Sequence, residues 1–245
     1  MNNTISVIDP GCPIDTFKTY LNFNEKYITH YKFAWGSSLL LSDLSERVKL
    51  LNTKKIVSYC GGTLFELAFK MDQIEEYKFF LDKNKIKCVE ISDGSISIKE
   101  ESLLKLIEEF AKDFEVIVEV GKKDHIKSEE MYPEMWINQI NNSLRCGAKK
   151  VVLEGRESSN AGIFRSNGEL RKGLIIEISK KCSLEKLIVE APKKKDQVAL
   201  IKLLGPNIGF GNIPLDDVFK TVALNKGLRG DTIEKCSTIN WDFSN

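Results

Sequence analysis

The chain has 245 residues, of which 42% are hydrophobic and 29% charged, a balance typical of a folded globular protein rather than a disordered one. Its 36 Lys and Arg against 35 Asp and Glu argue against a general nucleic-acid or membrane-surface binder, because such proteins need a cationic excess. No apolar run approaches the roughly 20 residues that span a bilayer, and no signal peptide is recognised. The six cysteines form no C-x-x-C pair, so we expect reduced thiols and a cytoplasmic protein.

Short β-branched runs alternate with amphipathic stretches along the chain. The runs have the composition of buried strands, and the stretches have helical spacing of their apolar residues. The predicted strands are 5–9, 31–35, 56–59, 88–92, 116–120, 151–154, 187–190 and 207–210. Helices are predicted at 14–27, from about 39, and at 64–84, 99–112, 134–145, 169–180, 196–203 and 215–225.

Eight strand–helix repeats within about 250 residues predict a single (β/α)8 barrel. We assign the barrel to residues 1–232 and a polar C-terminal extension, with Trp241 or Phe243 as its anchor, to residues 233–245. A doubly wound open sheet uses the same alternation and is the alternative. The turn after the first strand, 10–13, lacks the G-x-G-x-x-G sequence that such a sheet uses to bind a dinucleotide.

Charged residues collect where the predicted strands end, which is where barrels of this class place their active sites. Carboxylates end or follow strands one, four, five, six and seven, and basic residues follow strands five, six and seven. Such a rim is suited to a divalent metal and an anionic substrate. Glycines around strand eight and lysines at 193–195 favour a phosphate group there. For each carboxylate taken alone, a salt bridge with a neighbouring base is the alternative interpretation.

The same strand ends carry a series of motifs in a fixed order. They are 32–38 (KFAWGSS), 61–66 (GGTLFE), 90–94 (EISDG), 119–123 (EVGKK), 154–158 (EGRES), 190–192 (EAP), 205–207 (GPN), 211–213 (GNI) and 227–232 (GLRGDT). This series resembles the successive motifs of the phosphosulfolactate synthases. The resemblance implies a magnesium-dependent (β/α)8 lyase that adds sulfite to phosphoenolpyruvate and forms 2-phospho-3-sulfolactate, an early step toward coenzyme M.

The motifs and the chemistry together give a candidate set of site residues. A lysine with a depressed pKa is expected to deliver a proton to C2 of the substrate. The candidates are Lys32 and Lys123 for catalysis, Arg156, Glu157, Lys194, Gly211 and Asn212 for substrate binding, and Glu90, Asp93, Glu119 and Glu154 for Mg²⁺. The expected partners are small anions, with neither nucleic acid nor membrane, and a homo-oligomer is left open.

Alternatives remain at several residues. The competing interpretation of Lys32 is a lysine on an outer face between helices. The competing interpretation of Arg156 is a structural pair with Glu157 or Glu190. Pro10 and Gly209 depart from the family pattern, in which a polar residue such as Lys and an Asn are usual. Two other functions stay open: a related enzyme acting on another phosphorylated enol or 2-oxo acid, and a non-catalytic member similar to the heat-stress proteins of plants.

Overall fold

Eight parallel strands close into a barrel in which each strand pairs with the next and β8 returns to β1. The computed structural model describes residues 4–156 and 158–235. The strands are β1 (Ile5–Asp9), β2 (His30–Phe33), β3 (Val57–Cys60), β4 (Cys88–Ile91), β5 (Glu115–Val120), β6 (Lys150–Leu153), β7 (Leu187–Glu190) and β8 (Gly209–Pro214). Closure confirms the predicted (β/α)8 barrel and shows that the open-sheet alternative is wrong.

Helices follow every strand and cover the outside of the barrel. They are α1 (Ile14–Asn24), α2 (Leu44–Thr53), α3 (Gly62–Lys70), α4 (Ile74–Lys83), α5 (Glu100–Phe110), α6 (His125–Glu130), α7 (Pro133–Arg145), α8 (Lys172–Lys181), α9 (Lys194–Leu204) and α10 (Val218–Asn225). The single helix predicted at 64–84 is two helices, because Asp72 between them adopts a left-handed conformation with φ +56°. The helix predicted from about 39 begins at Leu44, and α6 was not predicted.

The inside of the barrel is built in layers, because strand side chains alternate between the inner and outer faces. An apolar layer, at most 1% exposed, closes the lower part of the barrel and consists of Tyr59, Cys88, Ile117, Val152 and Ile188. Four of these five residues are followed, two positions later, by a glutamate that also points inward. These glutamates are at positions 90, 119, 154 and 190. A layer of carboxylates therefore lies directly above an apolar floor.

A β-bulge in β8 directs an amide into the same mouth. The pairing of β1 with β8 shifts between Ile5, opposite Phe210, and Val7, opposite Ile213, so β8 carries one extra residue there. Asn212 occupies the bulge with φ +55°, a conformation that Asn tolerates better than most residues.

Among residues 4–156 and 158–235, no helix has the length and apolar character needed to cross a membrane. The predicted C-terminal extension is described only through Lys235, so the anchoring role predicted for Trp241 or Phe243 lies outside the described residues.

Candidate active site

A cavity of about 460 Å³ opens at the carboxyl ends of the strands. Its wall combines carboxylates with lysine, arginine and amide groups. The lining residues are Ile8, Lys32, Trp35, Gly61, Gly62, Thr63, Glu90, Glu119, Lys123, Glu154, Arg156, Ser158, Glu190 and Asn212. The cavity lies where barrels of this class place their chemistry.

Lys32 is buried inside the barrel rather than lying on an outer face between helices. Its side chain is 6% exposed, and Nζ lies 3.1 Å from Glu190 Oε1 and 3.2 Å from Glu90 Oε2. The backbone N–H of Gly62 also donates to Glu90 Oε1 at 3.1 Å. The cost of burying the ammonium is offset by these two carboxylates.

Of the two adjacent lysines after β5, Lys123 lies in the cavity and Lys122 does not. Lys123 Nζ is 3.0 Å from Glu119 Oε1 and 3.9 Å from Glu154 Oε2. Lys122 instead forms an ion pair with Asp93. Asp93, expected as a metal ligand, is therefore held at the rim by Lys122 and is not part of the cavity wall.

The carboxylates in the cavity differ in pKa, which is raised for Glu90 and Glu154 and lowered for Glu119. Burial, aided by the charges of Glu119 and Glu190, raises the pKa of Glu90 to about 7 despite the nearby Lys32. Burial and the neighbouring carboxylates also raise the pKa of Glu154 well above its usual range. Burial acts in the same direction on Glu119, but Lys123 and Lys32 outweigh it and lower the pKa of Glu119 to about 2.

The pKa values of Lys32 and Lys123 are raised, whereas a depressed pKa was expected for a catalytic lysine. Burial alone would lower the pKa of Lys32, but Glu90 and Glu190 raise it well above its ordinary value. Burial likewise would lower the pKa of Lys123, which Glu119 and Glu154 raise well above that of a free lysine. The predicted lysine with a depressed pKa is therefore wrong, and both ammonium groups are charged at neutral pH.

Glu90 provides a test of these electrostatics in the metal-free protein. Its pKa is raised on folding from 4.5 to about 7, so the folded state binds this proton more tightly and stability is lost as pH rises through that window. Glu90→Gln mimics the protonated form and lacks this loss. In excess chelator, the free energy of unfolding of Glu90→Gln minus that of wild type should therefore be larger at pH 8 than at pH 5, by about 3 kcal/mol at most. Urea unfolding at both pH values measures this, and a constant difference would contradict the raised pKa.

Three buried glutamates are close enough to share one metal ion. Glu119, Glu154 and Glu190 each offer an oxygen within 4.8 Å of the others. Backbone N–H groups orient two of them, from Arg156 to Glu154 Oε1 at 2.7 Å and from Gly155 to Glu190 Oε2 at 3.1 Å. Glu154 Oε2 is buried without a hydrogen-bond partner, and Glu119 Oε1 faces the Lys123 ammonium at 3.0 Å. Buried carboxylate oxygens of this kind fit a hard divalent cation such as Mg²⁺.

This cluster overlaps the predicted metal set in part. Glu119 and Glu154 belong to both, and Glu90 lines the same cavity but is not one of the three glutamates whose oxygens lie within 4.8 Å of one another. Glu190 was missing from the prediction, although it ends its strand in the same manner as the glutamates before it.

The predicted substrate-binding residues are distributed unevenly. Arg156 and Asn212 line the cavity, and Asn212 Oδ1 is buried without a hydrogen-bond partner. Gly211 precedes Asn212 in the bulge, where an added Cβ would lie 2.9 Å from Ile188 Cγ2. Lys194 is half-exposed outside the cavity, with Nζ 2.8 Å from a carboxylate oxygen of Asp231. The prediction for Glu157 lies outside the described residues.

Arg156 carries the only guanidinium in the wall among the described residues. It adopts φ +55°, and Nη1 donates to the backbone oxygen of Lys123 at 3.0 Å. Among the described residues, no ion pair joins Arg156 to Glu190, one of its two alternative partners. The remaining N–H groups of the exposed side chain can bind an anion as a fork.

Replacing Arg156 by Lys keeps the charge and removes the fork. We expect kcat/KM to fall by at least about tenfold, since bidentate geometry is lost. Steady-state kinetics measures this, with Arg145→Lys on the outer surface as the matched control. Wild-type kinetics for Arg156→Lys would assign the residue to loop structure alone.

A glycine pair from the motif 61–66, which was not among the candidate site residues, shapes the wall at α3. A Cβ on Gly62 would lie 2.4 Å from Ser92 Oγ and 3.2 Å from Glu90 Oε1, so only glycine allows α3 to begin against Glu90. The GGT sequence directly after a strand was a detectable signal. Trp35, 48% exposed, also lines the mouth rather than the core.

Known proteins resemble this sequence over nearly its whole length. The sequence matches the (2R)-phospho-3-sulfolactate synthase (ComA) family over residues 2–231. It is 35% identical over 227 residues to the phosphosulfolactate synthase of Bacillus subtilis, covering 92% of this chain and 90% of that protein. It is 36% identical over 234 residues to that of Methanocaldococcus jannaschii, covering 94% and 93%. The chain belongs to the phosphosulfolactate synthase family. The expected enzyme class, a synthase that forms a carbon–sulfur bond, is thereby confirmed.

Solved structures share the barrel with this phosphosulfolactate synthase family member at low sequence identity. A 3-keto-L-gulonate-6-phosphate decarboxylase from Vibrio cholerae aligns with a TM-score of 0.58 and 8% identity over 96% of this chain and 99% of that one. A 3-hexulose-6-phosphate synthase aligns with a TM-score of 0.56 and 12% identity over 91% and 99%. These similarities concern the fold alone.

The two departures from the phosphosulfolactate synthase pattern lie away from the cavity wall. Pro10 is exposed, and the preceding Asp9 points outward, where Tyr31 donates to it at 2.7 Å and Arg47 at 3.2 Å. Gly209 begins β8, where an added Cβ would lie 2.8 Å from a backbone oxygen. Neither Pro10 nor Gly209 is among the described residues that line the cavity. From β1, the described lining includes Ile8 alone.

Proposed function

We propose that this family member adds sulfite to phosphoenolpyruvate in a magnesium-dependent reaction that gives 2-phospho-3-sulfolactate. The observation that supports this most directly is Lys123, a charged lysine 3.0 Å from a carboxylate of a three-glutamate cluster that fits a divalent cation. A cation and a proton donor side by side are what addition to an enol phosphate requires.

Glu119, Glu154 and Glu190 would hold the cation. When bound, it supplies electrostatic stabilisation of negative charge on the substrate carboxylate. The sulfur lone pair of sulfite forms the new bond to the methylene carbon, C3, while the C2–C3 π electrons move toward the carboxylate. The ammonium of Lys123 then delivers one proton to C2. The neutral amine that remains takes up a proton from solvent before the next turnover.

The remaining charged residues bind and orient. Lys32 bridges Glu90 and Glu190 and so keeps both carboxylates in the wall. Arg156 at the mouth would receive a phosphate or sulfonate oxygen pair, and the Asn212 carboxamide would supply a neutral hydrogen-bonding group in the same cavity. The apolar floor below the carboxylates excludes water from the reacting centre.

The decisive experiment is incubation of the purified protein with phosphoenolpyruvate, sulfite and MgCl₂, followed by mass detection of a sulfonated phosphoester. We expect product that depends on all three additions. Reactions without sulfite, or with sulfate in its place, are the controls. Absence of product under these conditions would contradict the proposed substrates, and turnover of another phosphorylated enol would then favour the related-enzyme alternative.

We further place this reaction in the cytoplasm. Support comes from the thiols, since all five cysteines in the described part of the chain are unpaired.

A further inference from the structure

Glu66 is a buried carboxylate that neither the cation cluster nor the cavity wall uses. It lies in α3 and is 2% exposed. Its Oε1 accepts hydrogen bonds from Ser92 Oγ at 2.6 Å and from the backbone N–H of Ser95 at 3.2 Å. Its Oε2 is buried without a hydrogen-bond partner. Because burying an ionised carboxylate is costly, its location calls for a charged neighbour.

That neighbour is Lys123. Glu66 Oε1 lies 3.9 Å from Lys123 Nζ, the same distance as Glu154 Oε2. With Glu119 at 3.0 Å, three carboxylates from three separate parts of the chain surround one ammonium. Glu66 approaches from the helix α3, Glu119 from the strand β5, and Glu154 from the position directly after β6.

A second contact runs through the segment 92–95, which follows β4. Glu66 anchors this segment at Ser92 and Ser95. Between these anchors, Gly94 packs on the stem of Lys123, where an added Cβ would lie 3.2 Å from Cγ and 3.3 Å from Cδ. The backbone N–H of Lys123 donates to the oxygen of Gly94 at 3.3 Å. Glu66 therefore constrains both the charged end and the stem of this lysine.

We propose that Glu66 is a positioning residue that holds Lys123 in the orientation required for proton delivery. The inference rests on the proposed function, in which Lys123 is the proton donor. A proton donor must lie within hydrogen-bond reach of its acceptor, and a displacement of about 1 Å can cost up to about 100-fold in rate. Glu66 contributes by charge as well as by anchoring the segment 92–95.

The substitution Glu66→Gln separates charge from anchoring, because glutamine retains an acceptor oxygen for Ser92 and Ser95. We expect kcat to fall at least about tenfold while KM for phosphoenolpyruvate and for sulfite changes little and the melting temperature stays near that of wild type. Glu177→Gln, which removes a surface carboxylate paired with Lys180, is the matched control with unchanged kinetics.

A measurement that needs no substrate completes the test. Acetylation by an N-hydroxysuccinimide ester consumes the neutral amine, so its rate, followed by peptide mass spectrometry, reports both the accessibility of each lysine and how firmly the neighbouring carboxylates hold its ammonium. We expect Lys123 to be labelled several-fold faster in Glu66→Gln than in wild type, with the adjacent Lys122 as an unchanged internal reference.

The outcomes are distinct. Faster labelling of Lys123 together with reduced kcat supports the proposal. Wild-type labelling of Lys123, unchanged kcat, or an effect on KM alone overturns it and leaves Glu66 as an anchor of the segment 92–95. If wild type forms no sulfonated product, the proposed function fails, and the labelling of Lys123 still decides whether Glu66 positions it.

Discussion

Removal of divalent cations is expected to abolish formation of the sulfonated product. The cluster of Glu119, Glu154 and Glu190 places an oxygen from each of three carboxylates within 4.8 Å of the others, and among the described residues Lys32 and Lys123 are the cations that contact them. Without a cation, negative charge that develops on the substrate meets negative charge on the protein. A bound cation is worth several kcal/mol of stabilisation, so we expect a loss of about 1,000-fold or more in turnover.

The measurement is product formation in excess chelator, followed by titration with MgCl₂. Activity should return as free Mg²⁺ exceeds the chelator. Glu154→Gln removes one ligand charge and should raise the Mg²⁺ concentration needed for half-maximal activity. Full turnover in excess chelator, or restoration that is identical in wild type and Glu154→Gln, would contradict the assignment of the cluster as the metal site.

Replacement of Lys123 by Met is expected to lower kcat by roughly 100- to 10,000-fold, the range attributed to a positioned general acid. Methionine retains most of the stem that packs against Gly94 and removes the ammonium that faces Glu119 and Glu154. KM should change less than kcat, because the proton is transferred in the chemical step.

The adjacent lysine offers a matched control. Lys122→Met removes the ion pair with Asp93 at the rim but leaves the cavity wall intact, so we expect kcat within a few-fold of wild type. Circular dichroism and Mg²⁺ binding by calorimetry verify that both variants are folded and bind the cation. Equal losses in the two variants would mean that Lys123 acts through general charge and is not the proton donor.

Much of the fold and of the site could be predicted from the order of residues alone. Four strands carry an apolar residue followed two positions later by glutamate, as in Cys88 and Glu90 or Ile117 and Glu119. Because side chains in a strand alternate with a period of two, each pair must face the same side. Repetition of strand and helix eight times is typical of a closed barrel, so the sequence by itself favoured the barrel over an open sheet and indicated carboxylates at its mouth.

Only the tertiary structure decided which charges meet. Lys32 and Glu190 are 158 positions apart and touch because the barrel closes, whereas Asp93, a carboxylate that also follows a strand, is held at the rim by Lys122. Glu66 reaches Lys123 from a helix, a layer that the strand-end rule does not cover. The period of a strand fixes the face of a side chain, but its partner depends on barrel closure and on loop conformation. Those are set by packing and hydrogen bonds between distant segments.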